Sequence, residues 1–365
     1  MRILVTGVCN NMGGIESFFH SYFSELLKCY HDIQFDVLGY NGYVFQNEIV
    51  MAGGCVFKIS SFSKNEIVSF MEKHAADYDI IWCNVVDLSS ISIMKYAKIY
   101  GAKKIILHSH CSSMMGAGLN KIKKYLLHYF NRNLVTHYVD EFWACSDYAA
   151  KWMFPKMAFY NNVRYIPNAI DASKYRFCLN KRNEMRVRLK CGQALSIGFI
   201  GRLSSEKNPK FAIEVYRKLA DNMNSKLYIV GDGPLEKEIH DEITENNLNN
   251  VVMLGRRNDV SEILQALDCV IMPSLFEGMP MVAIEAQASG LPVFLSSNHI
   301  TAQTKITQGV EFLNLKDGPE KWANQILSSN LQRNDTFEQI VEAGYEIKSA
   351  SSNLYKIFKD LTEDN

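Results

Sequence analysis

The sequence predicts an α/β fold built as two doubly wound domains in tandem, each a parallel sheet wrapped by helices on both faces. Three observations predict it. The chain has 365 residues, more than a single hydrophobic core usually serves. Short apolar runs alternate with longer amphipathic ones, which is the pattern of strand–helix repeats. The alternation is interrupted over 168–192, where NAIDASKYRFCLNKRNEMRVRLKCG has many charges and little strand character. That stretch is expected to hold the break between the domains.

In the first half, strands are expected at 2–6, 34–40, 79–84, 103–109 and 141–145, with helical patterns between them such as 14–29 and 120–133. In the second half, strands are expected at 195–201, 226–231, 251–255, 269–274 and 292–297. Helices are expected near 209–222, 234–246, 259–267 and 280–289, and a closing helix at 351–361. Open α/β sheets bind ligands at the carboxyl ends of their strands, so two such domains facing each other would put a site in the cleft between them.

An apolar fraction of 47% suffices for buried sheets. The 39 basic residues balance the 39 acidic ones, so no global field attracts nucleic acid, and none is expected as a partner. The nine cysteines are scattered and form no C-x-x-C, which argues a reducing cytoplasm without zinc or a disulfide framework. The start, MRILVTGV, reads as a first strand rather than a signal peptide. No stretch approaches the roughly 18 apolar residues of a membrane span.

The most informative stretch is PSLFEGMPMVAIEAQASGLPV (273–293), with Glu277 in a Gly/Pro loop after an apolar strand and Glu285 inside the following helix. A helix entered from such a loop offers free backbone N–H groups and a positive dipole end, a seat for phosphate. Two carboxylates flanking that seat suit a ligand with a phosphate middle and hydroxyl-rich ends, the shape of a nucleotide sugar. In GRLSSEKNP (201–209), Arg202 and Lys207 lead into a helix that Pro209 can start. Together they can clamp a diphosphate, Arg by its planar fork and Lys as a point charge. Loop cations are more often merely solvated, and the reading gains weight from the two carboxylates in the same domain. GDGP (231–234) is expected to keep its loop low, a structural role.

In the first half, Gly13 and Gly14 of GGIE allow a tight turn or a close approach to a ligand, and Glu16 suits the first turn of the next helix. A plain strand-to-helix turn accounts for these residues equally well. His108 and His110 stand at the end of the fourth expected strand, where a histidine can donate to a sugar hydroxyl or a phosphate. Polar residues that merely satisfy a loop would look the same. The helix at 120–133 mixes Lys121, Lys123, Lys124, His128 and Arg132 with large apolar residues. It can lie on an anionic bilayer or pack as an ordinary helix with a solvated face.

GGIE, HSH, IPNAID (166–171), GRLSSEK, GDGP and EGMPMVAIEAQASGLPV occur in this order. Over nearly the whole chain, and most specifically over 198–297, they resemble the retaining glycosyltransferases of family 4, which have the GT-B fold. The flavour of GGIESFFHSYF and LHSHCSS is similar to the branch that builds bacterial capsular, exopolysaccharide or O-antigen units. The resemblance implies an acceptor-binding Rossmann-like domain over 1–170, a nucleotide-sugar-binding one over 171–346, and 347–365 crossing back to the first. By matching position, Arg202 and Lys207 hold the donor diphosphate and Glu285 the ribose. Glu277 sits by the donor sugar with the backbone of Gly278, Met279 and Pro280. Gly13 and Gly14 approach the diphosphate, His108 contacts the donor sugar or acceptor with His110 as the alternative, and Glu16 reaches the acceptor. Met279 and Ala169 depart from the Phe or Leu and the Gly common in the family, and the first departure touches the sugar pocket.

The implied reaction is metal-independent glycosyl transfer with retention and no cofactor, the two cations and the helix end neutralising the leaving diphosphate. The expected donor is a UDP-sugar, with a GDP-sugar as the alternative, and the expected acceptor is a glycan or lipid-linked molecule. The expected place is the cytoplasm, peripheral on the inner face of the plasma membrane if the 120–133 helix touches it. Two rival readings are a nucleotide-sugar epimerase of the same architecture and a non-catalytic nucleotide-sugar-binding subunit.

Overall fold

The first eight-residue strand shows how the chain builds its sheets. RILVTGVC alternates little and is apolar on both faces, as a central parallel strand must be when helices cover it on either side. The structure, a computed structural model, describes residues 1–60, 63–114, 118–156, 163–277 and 279–363. The chain folds into two compact units, Met1–Ala169 with Ile347–Asn365, and Ile170–Glu346.

The strands of the first unit are β1 (Arg2–Cys9), β2 (Gln34–Tyr40), β3 (Val56–Ile59), β4 (Ile80–Val85), β5 (Lys104–Ser109), β6 (Glu141–Ala144) and β7 (Arg164–Tyr165). Its helices before the crossing are α1 (Gly14–Cys29), α2 (Gln46–Met51), α3 (Lys64–His74), α4 (Ser92–Ile99), α5 (Gly118–Leu134) and α6 (Asp147–Met153). The strands pair in parallel in the order β3-β2-β1-β4-β5-β6-β7. Chain direction across the sheet reverses between β1 and β4, the place where doubly wound sheets open a crevice for ligand.

The second unit begins with two helices, α7 (Ala172–Tyr175) and α8 (Leu179–Arg188), so the stretch expected to be the break is folded. Arg182 and Arg186 of α8 both pair with Asp268, and Met185 is buried in the core with Tyr228 and Val270. The charges read as a linker are therefore a helix surface docked by arginines. The strands are β8 (Leu195–Ile200), β9 (Ser225–Val230), β10 (Val251–Gly255), β11 (Cys269–Met272), β12 (Val293–Ser296) and β13 (Val310–Leu313). They pair in parallel in the order β10-β9-β8-β11-β12-β13, with the reversal between β8 and β11. The helices are α9 (Pro209–Ala220), α10 (Glu236–Glu245), α11 (Val260–Ala266), α12 (Met281–Ala288), α13 (Gly318–Ser328) and α14 (Phe337–Glu342).

The last helix, α15 (Ile347–Glu363), returns to the first unit. Phe358 is fully buried against Trp82 and Trp143, with ring centroids 5.5 and 5.7 Å away. Tyr355 stacks on Tyr30 at 3.6 Å, and Lys359 pairs with Asp32 at 2.6 Å. The boundary falls one residue before the expected one. The Ile170 amide donates to the Tyr345 carbonyl at 2.8 Å, which ties Ile170 to the second unit. None of the nine cysteines, all among the described residues, is in a disulfide. No helix among the described residues is long and apolar enough to cross a membrane.

Candidate active site

In the second unit the singled-out residues come from loops at the carboxyl ends of β8, β9, β11 and β12. The loop after β8 carries Arg202 and Lys207 and ends at Asn208, whose left-handed backbone (φ 55°) turns the chain into α9 at Pro209. Asn208 donates its side-chain amide to the Pro273 carbonyl at 3.2 Å, and the Leu275 amide donates to the Glu206 carbonyl at 2.7 Å. The loops after β8 and β11, adjacent at the switch point, are thus laced together.

Lys207 donates to Glu277 Oε1 in an ion pair, and the Ser274 hydroxyl donates to the same oxygen at 3.1 Å. Glu277 is 8% exposed, and its amide donates to the His299 carbonyl at 2.9 Å, which fixes it from the loop after β12. Arg202 is exposed. The Glu206 carboxyl is held below its ordinary value by its own backbone N–H, then by the charges of Arg202 and Lys207. Both cations therefore share one patch, and a diphosphate seated there would share Lys207 with Glu277.

GDGP has the structural role expected of it. A Cβ on Gly231 (φ +134°) would lie 2.0 Å from the Gly201 carbonyl oxygen, and one on Gly233 would lie 2.5 Å from that of Leu203. The Leu203 amide donates to the Asp232 carbonyl at 2.8 Å, and the Leu235 amide donates back to the Leu203 carbonyl at 2.9 Å. Only residues without side chains let these two loops touch, and their meeting sets the path of the chain past Arg202.

Pro280 is the N-cap of α12, no side chain among the described residues caps that helix, and the Ala283 amide donates to the Pro280 carbonyl at 3.0 Å, which leaves the Met281 and Val282 amides available to an anion. Gly278 lies outside the described residues. The Met279 sulfur accepts from Thr304 Oγ1 at 3.6 Å and the Tyr345 hydroxyl at 3.7 Å, within an apolar cluster of Ile170, Ile284 and Ile340. Glu285 lies near Tyr175 of α7, whose phenol interacts with its carboxylate. Burial pushes the Glu285 carboxyl above its ordinary value, and the Tyr175 phenol partly offsets this. Two partners were not read from the sequence. Tyr175 sits in the segment taken for the break. Gln287, fully buried, bonds the Thr304 carbonyl at 2.8 Å and the Ile306 and Thr307 amides at 3.0 and 2.9 Å, anchoring the loop that packs on Met279.

In the first unit the chain needs glycine at Gly7 (φ +87°), where a Cβ would lie 1.7 Å from the Asn84 carbonyl oxygen. Glu16 is 5% exposed and accepts from the Cys9 amide at 2.9 Å, while a Cβ on Gly13 would meet its other oxygen at 2.7 Å. Glu16 therefore closes the β1–α1 turn, which is the plainer of its two expected roles. Gly13 and Gly14 are both exposed, and a Cβ on Gly14 would meet nothing within 4 Å.

His108 differs from expectation. His108 has no exposed surface and lies among Phe18, Trp82, His110 and Trp143, so in this conformation it offers nothing to a sugar. Burial, then the neighbouring His110, hold it neutral, well below its ordinary titration range, against a smaller opposing influence of the Ile166 backbone. His110 keeps partial exposure, bonds Asn84 Oδ1 through Nε2 at 2.8 Å, and is pushed down to about 3 by burial. Of the pair it is the one with surface to offer. A cavity of about 300 Å³ opens at the ends of β1 and β4, lined by Thr6, Asn84, Asp87, Ser90 and Lys124 among others. Its polar residues lie at the switch point, a signal that only the strand order supplies.

The chain contains one D-x-D triplet, Asp77-Tyr78-Asp79, at the opposite, amino end of β4. Asp79 accepts from the Arg2 amide at 2.8 Å and pairs with Lys103 at 2.7 Å, so the triplet ties strand starts together far from these loops.

Two parallel Rossmann-like sheets, with Arg202, Lys207 and the start of α12 at the second switch point, define a doubly wound α/β protein of two units. Residues 180–346 match the Glycosyl transferases group 1 family. Over 372 aligned residues, 97% of this chain and 95% of the relative, the sequence is 27% identical to the candidate glycosyltransferase EpsF of Bacillus subtilis (strain 168). It is 35% identical over 142 residues, 37% of this chain and 36% of the relative, to the Escherichia coli UDP-Gal:alpha-D-GlcNAc-diphosphoundecaprenol alpha-1,3-galactosyltransferase. The fold is similar to that of Anabaena Alr3699/HepE, solved with UDP, with a TM-score of 0.76 at 17% identity over 99% of this chain and 100% of that one. Residues 180–346, most of the second unit, thus match the group 1 glycosyltransferases, and the chain as a whole has the GT-B fold.

Proposed function

We infer that this protein is a retaining hexosyltransferase of family 4 that moves a sugar from a nucleotide-sugar donor to a lipid-linked or glycan acceptor in bacterial exopolysaccharide, capsular or O-antigen synthesis. The observation that carries the reading is the lacing of the loops after β8 and β11. It brings Arg202, Lys207 and Glu277 to one patch beside the uncapped start of α12, with Glu285 one further turn along that helix. Arg202, Lys207 and the α12 amides hold the diphosphate, Glu285 takes the ribose hydroxyls, and Glu277 takes the donor sugar. UDP is the favoured nucleotide, because UDP appears in the names of the galactosyltransferase relative and the HepE complex. The diphosphoundecaprenol in the name of the Escherichia coli relative supports a lipid-linked acceptor.

In the reaction the bond from the anomeric carbon to the diphosphate breaks, and the acceptor oxygen bonds the same face of that carbon. The leaving phosphate takes the acceptor's proton. The two cations and the helix end stabilise the charge that develops on the diphosphate, without a metal ion. The acceptor side belongs to the first unit, at the ends of β1 and β4 with Asn84 and His110. The protein works in the cytoplasm at the inner membrane face, where a lipid-linked acceptor is presented.

The experiment is a thermal-shift screen of UDP- and GDP-sugars followed by transfer assays on lipid-linked acceptors. A native-state ligand raises the melting temperature by mass action. Stabilisation by one UDP-sugar, with nucleotide release only when an acceptor is present, is the expected result. A new sugar formed without nucleotide release would make the protein an epimerase instead.

A further inference from the structure

Helix α5 packs on the first unit by the wrong side for an ordinary amphipathic helix. The two side chains it buries, His128 and Asn131, are polar, and only Leu134 at its end packs on the apolar core among its described residues. His128, 1% exposed, accepts from the Leu88 amide at 2.9 Å and stacks on Trp152, and the Asn131 amide donates to the Leu88 carbonyl at 2.7 Å. Its large apolar residues face outward: Leu119 is 85% exposed, Phe130 72%, Leu126 65% and Tyr129 63%. Every residue from 119 to 127 is exposed, so more than two turns of helix leave apolar side chains uncovered. The helix has no acidic residue. Lys121, Lys123 and Lys124 have no ion-pair partner among the described residues. Exposed apolar bulk edged by unpaired cations matches an anionic lipid surface, whose interior takes the first and whose headgroups take the second.

A second observation lies beside it. A cavity of about 460 Å³ is lined by Tyr129 and Arg132 of α5 and by Lys151, Phe154 and Lys156 from the α6 region. Arg132 is spent on the Lys151 and Phe154 carbonyls and lies over the Tyr129 ring, which fixes the wall. Lys151 and Lys156 are exposed and have no ion-pair partner among the described residues. The cavity thus opens beside the outward apolar residues, with two free ammonium groups and an aromatic rim.

We propose that α5 seats this protein on an anionic bilayer, its outward apolar face entering the interfacial layer while the adjoining Lys151–Lys156 cavity receives a lipid headgroup phosphate. The inference deepens the membrane setting of the proposed function but is independent of sugar transfer, because it concerns adsorption and needs no donor.

The test is vesicle flotation of the full chain with pure phosphatidylcholine and with a phosphatidylcholine–phosphatidylglycerol mixture, across a salt series. Three proteins are compared: the native chain, Leu126→Ser with Phe130→Ser, and Lys151→Gln with Lys156→Gln. All these positions are exposed, and unchanged melting curves check that each variant folds. The native chain should float with the mixed vesicles, bind the neutral ones at least tenfold more weakly, and lose binding as salt screens the headgroups. The apolar pair should abolish flotation, and the lysine pair should weaken it by roughly tenfold or more, on the order of one electrostatic contact per lysine. Equal binding to neutral and mixed vesicles overturns the proposal. So does concentration-dependent dimerisation, lost in the apolar variant, without vesicle binding, which would make the face a contact between copies. Intact flotation of the lysine variant overturns the headgroup cavity. Failure of sugar transfer with intact flotation would leave this inference standing and remove only the enzymatic reading.

Discussion

Replacing Lys207 by Ala separates catalysis from folding more cleanly than any other single change. Among the described residues the Lys207 ammonium pairs with Glu277, which also holds the Ser274 hydroxyl at 3.1 Å and is anchored through its amide to His299. Removing the ammonium leaves a largely buried carboxylate with one side-chain donor. A lost hydrogen bond to a charged group costs about 1.5–3 kcal/mol, and the partial exposure of Lys207 puts this pair at the low end. For a domain of roughly 150–250 residues that lowers Tm by about 2–4 °C per kcal/mol, a shift of a few degrees. Catalysis should suffer far more. Losing one preorganised charge partner of a leaving group costs about 10²-fold in kcat, or about 2.7 kcal/mol. The assay measures kcat and KM with saturating acceptor, alongside calorimetric melting. Lys207→Arg should keep the fold and recover part of the rate, since it restores the charge with a different fork. A variant that melts a few degrees lower yet turns over within about threefold of native would refute the clamp, because the ion pair to Glu277 would then be the whole purpose of Lys207.

Four further outcomes are expected. Glu285→Gln should weaken donor binding by about tenfold, the loss of a charged hydrogen bond to a hydroxyl. Because burial raises the Glu285 titration, native stability contributed there is lost as pH rises, so Gln should gain in relative Tm between acid and neutral pH. His108 and His110 titrate below their ordinary range, so their stability is present above about pH 6.5 and lost as pH falls. Urea melts should show the first unit weakening toward about pH 4, and His110→Gln should flatten the slope. Gly231→Ala drives a Cβ to 2.0 Å from the Gly201 carbonyl and should cost more than about 2 kcal/mol in urea unfolding together with donor binding. Phe358→Ala should cost about 3–5 kcal/mol and lower the melting transition of the first unit, since the side chain is fully buried on Trp82 and Trp143.

The sequence by itself determined the alternation of strands and helices, because central parallel strands are buried on both faces and appear as unbroken apolar runs such as DIIWCN and CVIMPS. It also singled out the charged residues of the loops after β8 and β11 and of α12. Arg202, Lys207, Glu277 and Glu285 stand beside glycines and prolines whose backbone preferences are local. Edge strands were not legible. VFKI (56–59) and VEFL (310–313) are short and half-buried, and nothing in their residues distinguishes them from loops. The helices at 172–188 were missed because their anchors, Asp268 and the core around Tyr228, are distant in sequence. Only tertiary structure could show that His108 is sealed inside an aromatic cluster, that Tyr175 meets Glu285, and that α5 turns its apolar face outward. Hydrophobic periodicity says which residues share a face of a helix, but which face is buried depends on what packs against it.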